Sequence, residues 1–523
     1  MAELKDIEAG DIPSPVSPVS NIHTADRGNI DTAEKGIPLG MLGSEMSMST
    51  QRDETAPEEA DPNVVDWDGP EDPANPMNWP SWRKIFTVGI VSAITFITPL
   101  ASSIFAPSIP QVMTDFNTTS HELAAFVVSV YVLGFAFGPL LLAPASEFWG
   151  RNLIYNFSNI CFIGCTVACA ESKSLAMLTV FRFFAGCFGS APLTIGGGTI
   201  ADVIPLERRG AAIALFALGP IMGPTIGPVA GGFLAEAKGW RWVFWLICIL
   251  SGFVSLLSLV FLKETYAPTI LAAKARRLRK ETGNDKLRSK MESPLPKSEI
   301  LARSLVRPIK MLFLSPIVLL LSIFAAVCYG YLYLLFTTFP TVFEGQYHFS
   351  TGTVGLAYIG LGVGSLTGLI ISGIFSDRIL LAKKAKHGVL KPEYRLIPMS
   401  YLAPCIPVGL FWYGWAAHAE THWIVPIIGT TFAGIGILST FMCVTTYLVD
   451  AFTVYAASAL AANTVLRSVL GGVLPLAGSR MYEQLGLGWG NSLLAFIALA
   501  MCPMPVLFNM YGERIRKRYD VKW

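Results

Sequence analysis

Two arginines in this chain sit where arginine is costly. Arg182 lies inside the uncharged run Thr179-Val180-Phe181-Arg182-Phe183-Phe184-Ala185-Gly186, and Arg467 follows Asn463 by four residues among Ala461, Ala462, Gly471 and Gly472. A charge near the middle of a bilayer costs about 2.5–3.5 kcal/mol on insertion scales, so such a residue is expected to face protein or water unless it snorkels to a surface. There a guanidinium either pairs with a carboxylate or holds a solute. Tyr329, Tyr331 and Tyr333, followed by Phe336 and Phe339, supply apolar area with a hydroxyl at the tip. That suits a cavity for amphipathic organic molecules and equally suits ordinary aromatic packing.

The acids lie elsewhere. Ala143-Pro144-Ala145-Ser146-Glu147-Phe148-Trp149-Gly150-Arg151 and Gly373-Ile374-Phe375-Ser376-Asp377-Arg378 each place a carboxylate, then an arginine, where an apolar run ends. Such an acid takes an ion pair or caps a neighbouring helix; a contact made in only one arrangement of the protein acts as a latch, otherwise it is a surface pair. Asp115, Glu147, Asp202, Glu264 and Asp450 also lie at ends or in adjoining loops, and no carboxylate falls near the middle of an apolar run. A proton-coupled carrier needs a titrating group in its cavity. The sequence shows none plainly.

The stretch Gly219-Pro220-Ile221-Met222-Gly223-Pro224-Thr225-Ile226-Gly227-Pro228-Val229-Ala230-Gly231-Gly232 sets a Gly-Pro pair at every fourth residue, three times over. The glycines form a strip without side chains along one side of a helix, and each proline removes an amide donor. Close helix packing alone, or a moving contact, would use such a strip.

The elements that must position these residues are membrane helices. Of 523 residues 52% are hydrophobic and only 15% charged, with a mean hydropathy of +0.51. Uncharged runs near the ~20 residues needed to cross ~30 Å of hydrocarbon recur. Twelve spans are expected at 85–105, 124–142, 153–169, 175–200, 211–235, 240–261, 311–339, 354–375, 396–417, 423–449, 456–477 and 493–511. Lys and Arg collect in alternate loops, which by the positive-inside rule puts both termini in the cytoplasm. The expected organisation is a disordered tail over 1–80, a six-helix bundle over 81–262, a basic linker over 263–310, a second bundle over 311–511 and a basic tail over 512–523. Ser14-Pro15 and Ser17-Pro18 are candidate phosphorylation sites in the tail, and Asn117-Thr118-Thr119 is a glycosylation sequon on the outer side.

Several classes are disfavoured. All nine cysteines lie in or at the ends of spans, and Cys161, Cys165 and Cys169 share a helix face with no histidine beside them, so neither a disulfide framework nor a metal site is expected. No Gly-rich Lys-Ser/Thr nucleotide motif and no Ser/His/Asp or Cys/His arrangement occurs. The chain reads as a non-enzyme with no cofactor and no nucleic-acid partner.

Together these residues resemble the major facilitator superfamily, and within it the twelve-span drug:proton antiporters of the fungal multidrug and metabolite branch. The Gly-Pro series resembles that family's antiporter motif. Glu147 to Arg151 resembles its cytoplasmic loop motif, with Glu for the usual Asp and Asn152 where a second base is common. Arg182 with Gly186 and Gly189 resembles its span 4 motif. Asn78-Trp79-Pro80, Ala191-Pro192-Leu193-Thr194-Ile195-Gly196-Gly197-Gly198 and Lys263-Glu264-Thr265 look like the fungal exporters. The resemblance implies an all-α membrane protein of two six-helix bundles related by a pseudo-two-fold axis. It further implies a plasma-membrane carrier, working as a monomer in lipid, that exports small organic compounds in exchange for protons. Arg182 would gate protonation, with Asp202 or Glu264 as candidate proton carriers. Glu147 with Arg151 would latch the outward state, with Asp377 and Arg378 at the equivalent loop. The Gly-Pro strip would slide on the glycines of span 8, and Tyr329, Tyr331, Tyr333, Asn463 and Arg467 would line the cavity. Uptake of a nutrient by the same fold and a transporter-like receptor are the alternatives.

Overall fold

The computed structural model describes residues 63–205, 208–292, 296–388 and 391–519. The Ser14 and Ser17 sites lie outside the described residues. Apolar residues all round, with Gly and small residues between them, give helices buried in lipid and in each other. The first half comprises α1 (Ser81–Ser103), α2 (Ile109–Asp115), α3 (His121–Trp149), α4 (Arg151–Ala170), α5 (Leu175–Val203), α6 (Arg209–Lys238) and α7 (Arg241–Phe261). Between the halves run α8 (Ala267–Thr282) and α9 (Lys297–Leu314). The second half comprises α10 (Pro316–Gly345), α11 (Thr351–His387), α12 (Ile397–Leu402), α13 (Cys405–His418), α14 (Ile424–Phe452), α15 (Ala456–Met501) and α16 (Pro503–Arg518).

Eleven described helical segments are long and apolar enough to cross a membrane, and the last, Ala456–Arg518, runs 63 residues. At 1.5 Å per residue that is about 95 Å, three times a bilayer core. Gly486, at φ 70° and ψ 172°, breaks it in a conformation that suits glycine, so the chain crosses twice there and twelve crossings result. Span 1 runs past the expected Phe105: a short 3₁₀ turn at Ala106–Ser108 and α2 carry it on to Asp115.

The same neighbours recur in both halves. Within the first, α1 packs on α6, α3 on α5, α4 on α5 and α4 on α7; within the second, α10 packs on α15, α11 on α14, α13 on α14 and α13 on α15. Span for span these are equivalent pairs, the signature of a pseudo-two-fold repeat. The halves meet where α3 packs on α15 and α6 on α11. Large side chains such as Leu141, Phe157, Ile249, Phe253, Leu256 and Phe496 stay exposed, as lipid-facing residues do.

One end of the molecule carries Arg83, Arg151, Arg395 and Arg516, and is called the basic end below. Residues 63–80, expected as the end of a disordered tail, are ordered there. Val64–Val65 (β1) pairs in parallel with Arg288–Ser289 (β2), and Val65 packs on Ala275, Leu278 and Leu287. Lys274 Nζ reaches Asp68 at 2.5 Å and Lys290 Nζ reaches Asp66 at 2.5 Å. The expected basic linker thus holds two helices and a strand, because its apolar residues find partners in the segment before α1.

Candidate functional site

Arg182 is 2% exposed, and its charge meets no carboxylate among the described residues. Nε donates to the Val127 carbonyl at 2.8 Å, Nη1 to Ala101 at 3.3 Å, and Nη2 to Ser102 at 3.1 Å and Val128 at 3.4 Å. Ala101 and Ser102 lie in the last turn of α1, where carbonyls lack partners within the helix and the dipole is negative, so a cation is stabilised without an acid. The rings of Tyr131, Phe105 and Phe244 flank the guanidinium, with centroids at 5.0, 5.2 and 5.8 Å. It does not snorkel. The adjoining cavity, lined by Ala101, Tyr131, Thr166 and Arg182 among others, is about 10 Å³. That is about one water, far below the ~300 Å³ of a small-molecule pocket.

Arg467 also lies against aromatic rings, but its donors are not all taken. Its guanidinium carbon lies 4.8 Å from the Tyr329 ring centroid and 5.5 Å from that of Phe441. Its Nε is buried without an acceptor, and so is the Asn463 Oδ1 without a donor. An unpaired buried polar atom costs about 1–3 kcal/mol, more when charged, so both atoms are open to a ligand's polar groups. Tyr329 continues into an aromatic wall, with ring centroids 5.0 Å from Tyr329 to Tyr333, 5.4 Å from Tyr333 to Phe336 and 5.6 Å from Phe336 to Tyr358.

The structure separates the three expected cavity tyrosines. Tyr331 is 1% exposed and donates to the Leu494 carbonyl at 2.8 Å, inside the second half and away from the wall. Tyr333 donates to Ser102 Oγ at 3.0 Å, across the halves. Because Ser102 also accepts from Arg182, one chain of contacts runs from Arg182 through Ser102, Tyr333 and Tyr329 to Arg467.

The paired loops resolve differently from their expected form. Arg151 reaches Asp202 at 3.4 Å and donates to Ser146 Oγ at 2.7 Å, while Glu264 accepts the backbone N–H groups of Arg151 and Asn152 at 2.9 and 3.2 Å. Gly150, at φ 94°, has no room for a Cβ because Glu264 occupies the space. Glu147 is exposed and takes no ion pair among the described residues. In the second half Arg395, not the exposed Arg378, does the work of Arg151: it bonds Ser376 at 3.1 Å, Asp377 at 2.5 Å and Asp450 at 2.8 Å. The correspondence was hidden because α11 runs on to His387 before the chain turns. Asp450 ending span 10 as Asp202 ends span 4 was the available signal for a basic partner near residue 395.

The Gly-Pro strip faces α1 rather than span 8. A Cβ on Gly219 would lie 3.0 Å from the Phe96 amide N, on Gly223 2.7 Å from the Leu100 N and on Gly227 2.5 Å from Ser103 Oγ; one on Gly231 would collide with the Ile104 carbonyl. The helix is continuous through Pro220, Pro224 and Pro228. Contact with α11 comes from the next face, where Gly362 sits on Thr225, Gly355 on Pro228 and Val229, and Gly232 on Thr351 and Gly352. Gly360, Gly364 and Gly368 instead receive α14 at Ile427, Thr431 and Ile435.

At the end opposite the basic one the halves are joined. Glu236 accepts from the Gly352 N–H at 2.8 Å and from Ser350 Oγ at 3.0 Å, Arg480 pairs with Glu122, and an apolar cluster joins Phe105, Val128 and Phe244 to Phe336, Phe339 and Phe343. At the basic end the ion pairs of Arg151, Arg395, Lys391 and Arg516 each stay within one half. Asn117 is exposed in the loop between α2 and α3.

The family model described as Major Facilitator Superfamily matches residues 91–475. The chain is 58% identical over 477 residues to the MFS-type transporter atr4 of Stereocaulon alpinum, covering 91% of this chain and 86% of that protein. It is 59% identical to the MFS-type transporter penM of Penicillium rubens, covering 87% and 90% of the two chains. It is 51% identical to the efflux pump radE of Floropilus chiversii, covering 96% and 94%. Among solved structures, an inward-open xylose transporter from E. coli superposes with a TM-score of 0.60 at 15% identity, covering 80% of this chain and 95% of that one. A buried cation seated on helix ends, a second facing an aromatic wall, and two repeated six-crossing bundles thus stand in a multi-pass transporter, not an enzyme, and the chain belongs to the Major Facilitator Superfamily.

Proposed function

We propose that the protein is a secondary carrier that exports small organic compounds from the cytoplasm across the plasma membrane in exchange for protons. The observation that carries the reading is the Arg467–Tyr329–Phe441 group in mid-span, lying on the basic-end side of the contacts that join the halves. The positive-inside rule makes the basic end cytoplasmic, so this arrangement corresponds to the state that accepts solute from inside. Supporting the direction is the printed name of one relative, an efflux pump. Arg182 serves as a fixed cation whose seat on α1 and α3 shifts as the halves rock, and Asp202, paired with Arg151 at the basic end of α5, is the carboxylate that changes partners with that motion. Asn117, exposed at the outer end, is the proposed glycosylation site.

The test compares small molecules in cells and medium of the native host, with and without this gene, by untargeted mass spectrometry. A compound retained by the deletion strain is then presented to inside-out vesicles with an imposed pH gradient. Gradient-dependent accumulation is the expected result; accumulation only in right-side-out vesicles overturns the direction.

A further inference from the structure

We propose that Arg467 and Asn463 form the headgroup site of the cargo, and that the cargo is an organic anion: a carboxylate or ionised phenol on an aromatic body. The inference deepens the export reading and rests on it only for the site being one of transport.

The two mid-span arginines sort the possibilities. Arg182 spends four of its five donors on main-chain oxygens, and the cavity beside it, about 10 Å³, has no room for a solute. Arg467 makes no ion pair among the described residues, and its Nε has no acceptor. No acid is placed to neutralise it: α3, α10 and α14 carry Glu122, Glu147, Glu344 and Asp450 only near their ends, and Glu483 lies four turns beyond it on α15. A cation held permanently in mid-span without a counterion is the natural partner of an anion that arrives and leaves.

Asn463 adds the second contact. It stands four residues before Arg467, on the same face of α15, is 3% exposed, and its Oδ1 has no donor. A guanidinium that donates beside an amide oxygen that accepts matches a carboxylate next to a hydroxyl. Tyr329 and Phe441, 5.6 Å apart between ring centroids, are the surfaces on which the ring of such a compound would stack.

The site also lies at the right depth. One turn further along α15, a Cβ on Gly472 would meet Leu133, and Ser129 Oγ donates to the Gly472 carbonyl at 2.8 Å, which closes α3 onto α15. Arg467 is on the basic-end side of that closure and keeps part of its surface exposed.

The experiment uses the full chain in lipid nanodiscs at pH 7.5 and the fluorescent probe 3-hydroxy-2-naphthoate, with its methyl ester as the neutral counterpart. The acid should bind at least tenfold tighter than the ester. Arg467→Gln should remove that preference and Arg467→Lys should keep part of it. Asn463→Asp supplies a carboxylate four residues before Arg467, so it should weaken the acid at least tenfold without lowering the melting temperature. Equal binding of acid and ester, no binding of the acid at millimolar concentration, or unchanged acid binding in both Arg467→Gln and Asn463→Asp overturns the proposal. Binding has no direction, so a failed vesicle export assay leaves the anion site standing, and a lost acid preference with export intact removes the anion site alone.

Discussion

Arg182 and Arg467 carry the same charge and meet opposite surroundings, which assigns them different work. Arg182 ties the end of α1 to the second turn of α3 through a fork that reaches two helices at once. Lysine keeps the charge but donates from a single atom, so Arg182→Lys should reach the membrane yet release cargo at least tenfold more slowly, measured in the vesicle assay. Arg182→Ala strands the α1 carbonyls, about 1–3 kcal/mol each, and should also lower the melting temperature of the purified protein. The glycines permit a paired test. Gly223→Ala places a methyl 2.7 Å from the Leu100 amide, whereas Gly252→Ala meets nothing within 4 Å. The first should cost about 1–3 kcal/mol by overpacking and the second should be neutral or stabilising, read by thermal melting in detergent. That Arg182 and Arg467 would turn toward protein was legible in the sequence, because charge in an apolar run has few explanations. Which of them was already satisfied was not, since Arg182's partners are main-chain atoms that no side-chain pattern reports.

Among the elements, the clasp between the segment before α1 and the linker was the part least visible in advance. Two residues of β1 and two of β2 lie more than two hundred positions apart, and neither is long enough to show an alternation. Charge holds the clasp. The Lys290 hydrogen bond, with help from the Trp67 amide, holds the Asp66 carboxyl below its ordinary value, and the Asp68 and Ala74 amides do the same for Asp72. A carboxyl depressed in the folded state stabilises above its unfolded value near 3.9 and loses that contribution as pH falls through the folded value. Amide protection at Arg288 and Lys290, which donate to Asn63 and Val65, should therefore persist at pH 6–8 and fall below about pH 4 after correction for intrinsic exchange. The Lys290–Asp66 pair is exposed, so molar salt should weaken that part of the clasp at neutral pH as well. Spans, by contrast, were readable from hydropathy alone; the departures are the run of α11 past the expected Phe375 to His387, the merged α15 and the extension of span 1, the last two set by backbone at Gly486 and Ala106.

For the whole molecule, the repeated pattern of neighbours makes the second half a guide to the first. Arg151 with Ser146 and Asp202, and Arg395 with Ser376, Asp377 and Asp450, occupy equivalent corners of their bundles. The sequence pointed to Arg378 because it lay next to the acid, but symmetry of the fold outranks adjacency in the chain. The junction at the end away from the basic one predicts a trap. Arg480 pairs with Glu122 across it, so a Glu122→Cys/Arg480→Cys protein should be bridged by a short bifunctional thiol reagent that carries a reducible link. Transport should stop on crosslinking and return when the bridge is reduced, and a crosslinked protein that still transports would show that this junction need not open. The seat of Arg182 has a further consequence for descent. All four of its acceptors are peptide oxygens, which every residue type supplies, so positions 101, 102, 127 and 128 can exchange one small or apolar side chain for another without unseating it. A lineage can therefore redraw the walls that choose a cargo while inheriting the same cation in the same place.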